Sequence, residues 1–186
     1  MYGPLIEGKL VRLRPPRPED AAVMITWFDD LEVTRFIMRR HPPSIEEEKA
    51  WLENLAKDPN HIQWVVEHEG RIVGGTSIFE IDWKHGYGST GTLIGDKTVW
   101  GKGLARELMQ LRAQYVFTQL PLRKLKSGYI EGNEASARGP EGCRLSRGGA
   151  VAARPVRRRR VARPHPHRAA ARGLAENEVR IIAFLP

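Results

Sequence analysis

Apolar and polar residues alternate along the first 138 positions in a pattern that predicts strands and helices in turn. The helices are marked by apolar residues at intervals of three and four, and the strands by short runs between turn residues. Ser44 and Glu47 have capping-box spacing at the start of one helix. The predicted strands are 10–14, 61–67, 71–82, 87–94 and 125–131. The predicted helices follow the prolines at 15–18, run from 45 to 57 and from 103 to 120, and begin again after 133.

The stretch 92–109 joins a strand to the central helix through a tight turn. Gly101 and Gly103 leave the backbone bare where the chain turns, and Leu104 and Leu108 begin an apolar face that continues through Leu111 and Tyr115. A bare turn that leads into a helix N-terminus presents unpaired backbone N–H groups at the positive end of the helix dipole. Taken alone, the two glycines are more typical of a plain strand-to-helix turn, but the same turn is also a ready site for an anion such as a pyrophosphate.

The motif of this turn is neither the G-x-G-x-x-G dinucleotide fingerprint nor a P-loop. Trp100-Gly-Lys-Gly-Leu-Ala105 resembles the acyl-CoA loop of the GNAT N-acetyltransferases, Gln/Arg-x-x-Gly-x-Gly/Ala. Gly103 and Ala105 match that loop, and Trp100 stands in place of its first residue. The following Ala-x-Glu is similar to the RimJ/RimL branch, which acetylates ribosomal-protein N-termini.

A second motif, residues 128–136, resembles the strand after the central helix in that family, followed by Asn-x-x-Ser. The resemblance covers nearly all of residues 1–138 and implies a GNAT fold. This is an α+β, three-layer architecture with a mixed, mostly antiparallel sheet flanked by helices. Its fourth and fifth strands are expected to splay apart and admit the pantetheine arm of CoA.

The resemblance also implies roles for individual residues. Glu80 is the candidate base, with Asp82 on the same face of its strand, although a salt-bridged or solvated carboxylate is the more common explanation for either residue. Ser136 is the candidate proton donor to the departing thiolate or a plain helix residue. Trp100 packs the loop against the core or contacts the ligand, and Lys102 pairs with a phosphate or is a solvated surface lysine. Asn133 caps a helix, binds the pantetheine amides, or does both. The expected CoA-binding residues are Ile94, Trp100, Gly101, Lys102, Gly103, Leu104, Ala105 and Asn133.

Charge divides the chain near residue 138. The net charge is +8, yet residues 1–138 are neutral, and residues 139–186 carry 11 arginines and 3 glutamates. The single cysteine, Cys143, excludes an internal disulfide and fits a reducing, cytoplasmic location. No apolar run approaches the roughly 18 residues of a membrane span, and the histidines show no metal-ligand spacing.

We predict two parts: an acetyltransferase domain at 1–138, incomplete at its C-terminal end, and an Arg/Ala/Pro-rich tail at 139–186. The tail's low apolar content and like charges favour disorder. Back-translated codons for 139–145, read in the next frame, permit Ala-Leu-Lys/Arg-Asp-Ala-Gly-Phe, so the tail is also consistent with a frameshifted reading. A genuine tail would instead be a nucleic-acid-binding arm and would leave the fifth predicted strand as an exposed edge.

The sequence thus predicts an acetyl-CoA-dependent N-acetyltransferase that works by direct attack of an amine, without a metal. The acceptor is a protein N-terminus or a small amine, and a homodimer is possible. Two alternatives stay open: a nucleic-acid-binding protein with an inactive acetyltransferase-like core, and a CoA-binding domain without turnover.

Overall fold

The computed structural model describes residues 1–39 and 41–138, together with the backbone of 150–156. Within these residues seven strands form one sheet whose spatial order is the chain order. The strands are β1 Ile6–Glu7, β2 Arg12–Arg14, β3 Ile62–His68, β4 Arg71–Asp82, β5 Tyr87–Ile94, β6 Lys124–Ile130 and β7 Ala150–Val156. The helices are α1 Ala21–Met24, α2 Leu31–Thr34, α3 Ile45–Lys57, α4 Leu104–Gln119 and α5 Glu134–Arg138.

The four strand pairs from β1–β2 to β4–β5 are antiparallel. The pairs β5–β6 and β6–β7 are parallel. The hairpin between β3 and β4 turns at Glu69 and Gly70, both with positive φ (49° and 74°). That conformation matches the right-handed twist of the flanking strands. The predicted α+β fold with a mixed, mostly antiparallel sheet is therefore confirmed.

Strand β3 shows why the domain has three layers. Its residues from Ile62 to Val66 are all buried, so both faces of the sheet are covered. Trp64 and Val66 pack into one apolar cluster with Leu108 of α4, and Val65 packs into a second cluster with Leu52 of α3. Helix α4 therefore covers one face, and the helices before β3 cover the other.

The segment after the N-terminal prolines differs from its prediction. It is a series of short pieces, with 3₁₀ turns at Pro18–Asp20 and Ile25–Asp29 on either side of α1. A helical period over this segment predicts that Val23, Trp27 and Phe28 lie on one apolar face. Trp27 and Phe28 are buried as expected, but Val23 is 39% exposed. A continuous helix would have placed all three on one face, and the change to 3₁₀ winding rotates Val23 toward solvent.

A buried ion network fixes this segment to the sheet. Arg14 on β2 binds Asp20 through two hydrogen bonds of 2.7 and 2.8 Å, and its Nε donates to Glu67 Oε1 at 2.5 Å. Arg14 and Asp20 are almost fully buried. The paired carboxylates raise the pKa of Arg14 further above its ordinary value, so the guanidinium stays charged inside the protein.

Most of the predicted tail lies outside the described residues, so its disorder, its nucleic-acid arm and the frameshift stay predictions. The exception is β7, which pairs with β6 along its whole length, from Lys124↔Ala150 to Ile130↔Val156. The expectation that β6 becomes an exposed edge is therefore wrong in this structure. An unpaired strand edge presents a row of N–H and C=O groups that a further strand satisfies.

Candidate active site

The sheet opens between β5 and β6. Their parallel pairing begins at Tyr87↔Lys124 and ends at Thr90↔Ser127, although β5 continues to Ile94 and β6 to Ile130. The two strands therefore part over their last three or four residues and leave a cleft, at the position where the splay was predicted.

The loop that follows β5 returns to the end of that strand. Asp96 caps the 3₁₀ turn Lys97–Val99 through hydrogen bonds from the backbone N–H and hydroxyl of Thr98. The indole Nε1 of Trp100 donates to the carbonyl of Ile94 at 2.9 Å. Trp100 is 41% exposed, so the prediction that it packs the loop against the core is wrong. The indole N–H, rather than burial of the ring, ties the loop to β5.

Two glycines with left-handed backbones connect this loop to α4. Gly101 has φ +77° and Gly103 has φ +86°, a region that L side chains rarely adopt. Among the described residues, a Cβ built on Gly101 would meet no atom within 4 Å, and one on Gly103 would meet only Leu10 Cδ1 at 3.9 Å. The backbone conformation requires glycine here, and the space in front of the loop is open.

Several loop amides next to that open space have no internal acceptor among the described residues. The Lys102 amide donates to the Val99 carbonyl at 3.4 Å. The described part of the chain provides no acceptor for the amides of Gly101, Gly103, Leu104 and Ala105, and no side chain caps α4. The amides expected to hold a pyrophosphate are thus not consumed by internal hydrogen bonds.

The two lysines of the loop differ in their partners. Lys97 forms ion pairs with Asp30 at 2.7 Å and with Glu32 at 2.9 Å, and these carboxylates raise its pKa. The exposed side chain of Lys102 forms no ion pair within residues 1–39 and 41–138. Lys102 is therefore the loop cation available to an incoming phosphate.

Asn133 and Ser136 lie just beyond the end of β6, on the opposite wall of the cleft. The Asn133 Oδ1 accepts from the Ser136 amide at 3.0 Å, and the Asn133 carbonyl accepts from the Ala137 amide at 3.0 Å. Asn133 thus caps α5, as predicted, while the described residues offer its side-chain NH₂ no acceptor. The half-buried Ser136 hydroxyl likewise has no partner among them.

Glu80 lies in a β-bulge of β4. The register changes between Phe79 and Asp82, and Glu80 has φ +50°, a conformation that costs energy for a residue with a Cβ. Its carboxylate accepts from the Ser89 hydroxyl of β5 at 3.1 Å. Since Ser89 precedes the last β5–β6 pair by one residue, Glu80 lies beside the closed end of the cleft.

Asp82, the second carboxylate considered at this strand end, is bound to its own turn. It accepts from the backbone N–H and the Nδ1 of His85, each at 2.8 Å. The hydrogen bond from His85 lowers the pKa of Asp82 to about 2. A carboxylate with so low a pKa is a weak base at neutral pH, so Glu80 is the better candidate of the two.

A cavity of about 260 Å³ lies at the end of β6 and is lined by Arg35, Phe36, Ile130 and Glu131. The guanidinium of Arg35 stands 5.1 Å from the centre of the Phe36 ring. The cavity adjoins the wall that carries Asn133 and combines apolar and charged groups.

Two charged residues of α4 that the sequence analysis did not single out also shape this region. Glu107 accepts from the amides of Lys9, Leu10 and Val11 at 2.7, 2.6 and 2.8 Å, and so ties the first turn of α4 to the β1–β2 loop. Arg112 is 5% exposed and contacts β4 and β5. The sequence signal for a buried arginine was its position, since Arg112 follows Leu108 by four residues and so lies on the apolar face of α4.

Within the described residues, no group of three or more His, Cys, Asp or Glu side chains is placed to hold a metal ion. None of their helices is both long and apolar enough to cross a bilayer.

Comparison with known proteins agrees with this geometry. The acetyltransferase (GNAT) domain model matches residues 11–144. The uncharacterized N-acetyltransferase p20 of Bacillus licheniformis is 26% identical over 120 residues, which are 62% of this chain and 67% of that protein.

Two solved structures share the fold. Spermidine N-acetyltransferase from Vibrio cholerae, in complex with CoA and spermine, superposes with a TM-score of 0.67 at 21% identity, covering 73% of this chain and 80% of that one. Mycobacterium smegmatis RimJ, in complex with CoA-disulfide, gives a TM-score of 0.65 at 19% identity, covering 75% and 72%.

The family match extends six residues past residue 138, where the predicted domain ends, and it takes in both the glycine loop and the Asn-x-x-Ser segment. The chain belongs to the GNAT acetyltransferase family and is an N-acetyltransferase whose acetyl donor is acetyl-CoA.

Proposed function

We propose that the chain moves an acetyl group from acetyl-CoA to a primary amine by direct attack, with CoA held across the glycine loop and the β5–β6 cleft. The observation that carries the proposal is the row of loop amides from Gly101 to Ala105. Four of them lack an acceptor within the described residues, and they lie at the positive end of the 16-residue helix α4. Such an arrangement binds phosphate oxygens well.

The residues of the loop suit a diphosphate in shape as well as in charge. No Cβ covers Gly101 or Gly103, and no protein atom fills the space in front of Gly101 within 4 Å of where a Cβ would stand. Lys102 adds a mobile positive charge at the same place. The Trp100–Ile94 hydrogen bond holds the loop against the end of β5, so little ordering is left for the ligand to supply.

The cleft wall suits the pantetheine arm, which carries two amides. The ends of β5 and β6 no longer pair with each other, so backbone groups there can bind those amides in strand-like fashion. The side-chain NH₂ of Asn133 is a further donor, since capping of α5 uses only Oδ1 and the backbone carbonyl of that residue.

Acetyl-CoA supplies the acetyl group as a thioester. In the transfer a C–N bond forms, the thioester C–S bond breaks, and the amine loses a proton. Glu80 takes that proton, directly or through water, and the Ser136 hydroxyl donates a proton to the departing thiolate. A backbone N–H of β5 stabilises the charge that develops on the carbonyl oxygen.

We assign the acceptor to the cavity beside Ile130. Phe36 and Ile130 offer apolar surface, and Arg35 and Glu131 bring one charge of each sign to the same lining, so a polar ligand with a short apolar stem fits this cavity. A protein N-terminus and a small amine both meet that description. RimJ and spermidine N-acetyltransferase, which share the fold, illustrate the two classes.

The test has two stages on the full chain. Isothermal titration with acetyl-CoA is expected to show one site per chain. Release of free CoA thiol is then measured with a peptide whose N-terminus is free, the same peptide with a blocked N-terminus, and spermidine. We expect thiol release with the free peptide or with spermidine, and none with the blocked peptide.

Binding without turnover on any amine would favour a CoA-binding domain without catalysis. Absence of acetyl-CoA binding, combined with salt-dependent binding of DNA, would favour the nucleic-acid alternative, in which phosphate contacts dominate affinity. Either result contradicts the proposed function.

A further inference from the structure

The buried side chain of Arg112 reaches from α4 to the point where β5 leaves β6. Its Nη1 donates to the Gly91 carbonyl at 2.8 Å, to Thr76 Oγ1 at 2.5 Å and to Thr92 Oγ1 at 3.0 Å. Gly91 is the first residue of β5 beyond the last β5–β6 pair. A buried guanidinium is therefore bound to the backbone at the closed end of the cleft.

The direction of the Gly91–Thr92 peptide follows from its partners. The Gly91 carbonyl also accepts from the hydroxyl of Thr76 at 3.0 Å. Because Thr76 belongs to β4, this carbonyl faces the β4 side of β5. The peptide is trans, and a trans peptide directs its N–H opposite to its C=O. The Thr92 N–H therefore points to the β6 side, where pairing has already ended.

We propose that Arg112 is a positioning residue for acetyl transfer. By binding the Gly91 carbonyl it fixes and polarises the Gly91–Thr92 peptide, so that the Thr92 N–H becomes the donor to the thioester carbonyl oxygen. A hydrogen bond from a charged donor is stronger than a neutral one, and hydrogen bonds in series strengthen each other. The inference rests on the proposed function, because it requires the acetyl group to lie in the β5–β6 cleft.

The polarisation has a spectroscopic signature separate from activity. Acetyl-CoA labelled with ¹³C at the acetyl carbonyl is bound to the full chain, and the thioester C=O stretch is compared with that of free acetyl-CoA by infrared difference spectroscopy. We expect a shift to lower frequency in the natural chain, a smaller shift in Arg112→Met and an intermediate shift in Arg112→Lys. Arg106→Met removes an exposed arginine of the same helix and serves as the control, with the natural band position.

Kinetics provide a second readout. Since a donor that acts in the transition state affects kcat more than binding, we expect Arg112→Met to lower kcat about tenfold, less than the loss of a whole oxyanion donor. The KM for acetyl-CoA should stay within about twofold, and Arg112→Lys should recover part of kcat.

Arg112→Lys keeps the protein testable if Arg112→Met does not fold, because it retains a cation while changing the donor to the Gly91 carbonyl. A natural band position in folded Arg112→Met, or in Arg112→Lys when Arg112→Met is unfolded, overturns the inference even though acetyl-CoA binds. Absence of acetyl-CoA binding by the natural chain would instead overturn the proposed function as well.

Discussion

The indole N–H of Trp100 donates to the carbonyl of Ile94 across the loop that separates β5 from α4. This one hydrogen bond joins the last residue of the cleft wall to the first residue of the glycine loop. The cleft and the anion site are therefore parts of one surface.

Trp100→Phe keeps an aromatic ring but removes the donor to Ile94. The loop should then be less ordered before CoA binds, and the ligand must supply that ordering, so we expect acetyl-CoA affinity to fall about threefold to tenfold. Stability should change by no more than about 1 kcal/mol, because the ring is exposed and one neutral hydrogen bond is lost. Titration calorimetry and urea unfolding measure the two effects. Unchanged affinity would show that the loop is ordered without this bond.

Gly103→Ala tests whether the open space before the loop is used. Alanine at φ +86° should cost roughly 1–2 kcal/mol of stability, and its methyl group would stand where a phosphate is expected, so affinity for acetyl-CoA should fall at least about tenfold.

Gly70→Ala is the matched control, since Gly70 has φ +74° and equally free space but lies in the β3–β4 hairpin. It should lose similar stability and no affinity. Equal affinity losses in the two variants would argue against a ligand at Gly103.

Glu48 predicts a pH dependence of stability. This residue of α3 is 1% exposed and 3.8 Å from the Arg39 guanidinium, and burial raises its pKa from 4.5 to about 7. A raised carboxyl pKa means that the folded state holds the proton more tightly. Glu48 therefore stabilises the folded state fully below pH 4.5. As the pH rises to about 7 this contribution is lost, and the free energy of unfolding falls by up to about 3 kcal/mol.

Glu48→Gln should abolish that decline and be more stable than the natural chain at pH 8. Urea unfolding between pH 4.5 and 8 measures it, with the exposed Glu46→Gln as control. If Glu48→Gln retained the natural slope, another group would be responsible.

Asp20→Asn leaves the Arg14 guanidinium buried with one carboxylate fewer. Removing one member of a buried ion pair typically costs about 3–5 kcal/mol, so we expect a fall of that size in the free energy of unfolding. Glu19→Gln, which changes the exposed neighbour, should be nearly neutral. Chemical denaturation of both variants measures the change in the free energy of unfolding. A loss below about 1 kcal/mol for Asp20→Asn would mean that the ion network contributes little to stability.

Ser136→Ala separates proton donation from structure. The hydroxyl makes no hydrogen bond within the described residues, whereas the capping bond uses the Ser136 amide, so stability should be unchanged within about 0.5 kcal/mol. We expect kcat to fall about a hundredfold, at the low end of the range for proton transfer. Steady-state kinetics at saturating acetyl-CoA measure this effect. An unchanged kcat would mean that water, and not Ser136, donates the proton to the thiolate.

Local signals in the sequence predict much of this fold. The capping box at Ser44 and Glu47 forms as expected, and the predicted strands 71–82 and 87–94 agree with β4 and β5 to the residue. These elements are encoded by short-range patterns, which tertiary packing leaves in place.

Features that depend on distant residues could not be predicted. Nothing near Arg112 in the sequence indicates that Gly91 will be its acceptor, and Glu107 gains its three amide partners from about a hundred residues away. Strand β7 was missed because its small residues and Pro155 carry a weak strand signal. Val23 was misplaced because a helical period was extended into 3₁₀ segments.

The central claim is that the loop amides between β5 and α4 bind the diphosphate of CoA. The most direct measurement is the ¹H–¹⁵N spectrum of the full chain titrated with CoA and, separately, with pantetheine, which lacks the diphosphate. We expect large downfield shifts of the Gly101, Gly103, Leu104 and Ala105 amide protons with CoA and much smaller shifts with pantetheine. Equal shifts with both ligands, or no shift of these amides on CoA binding, would contradict it.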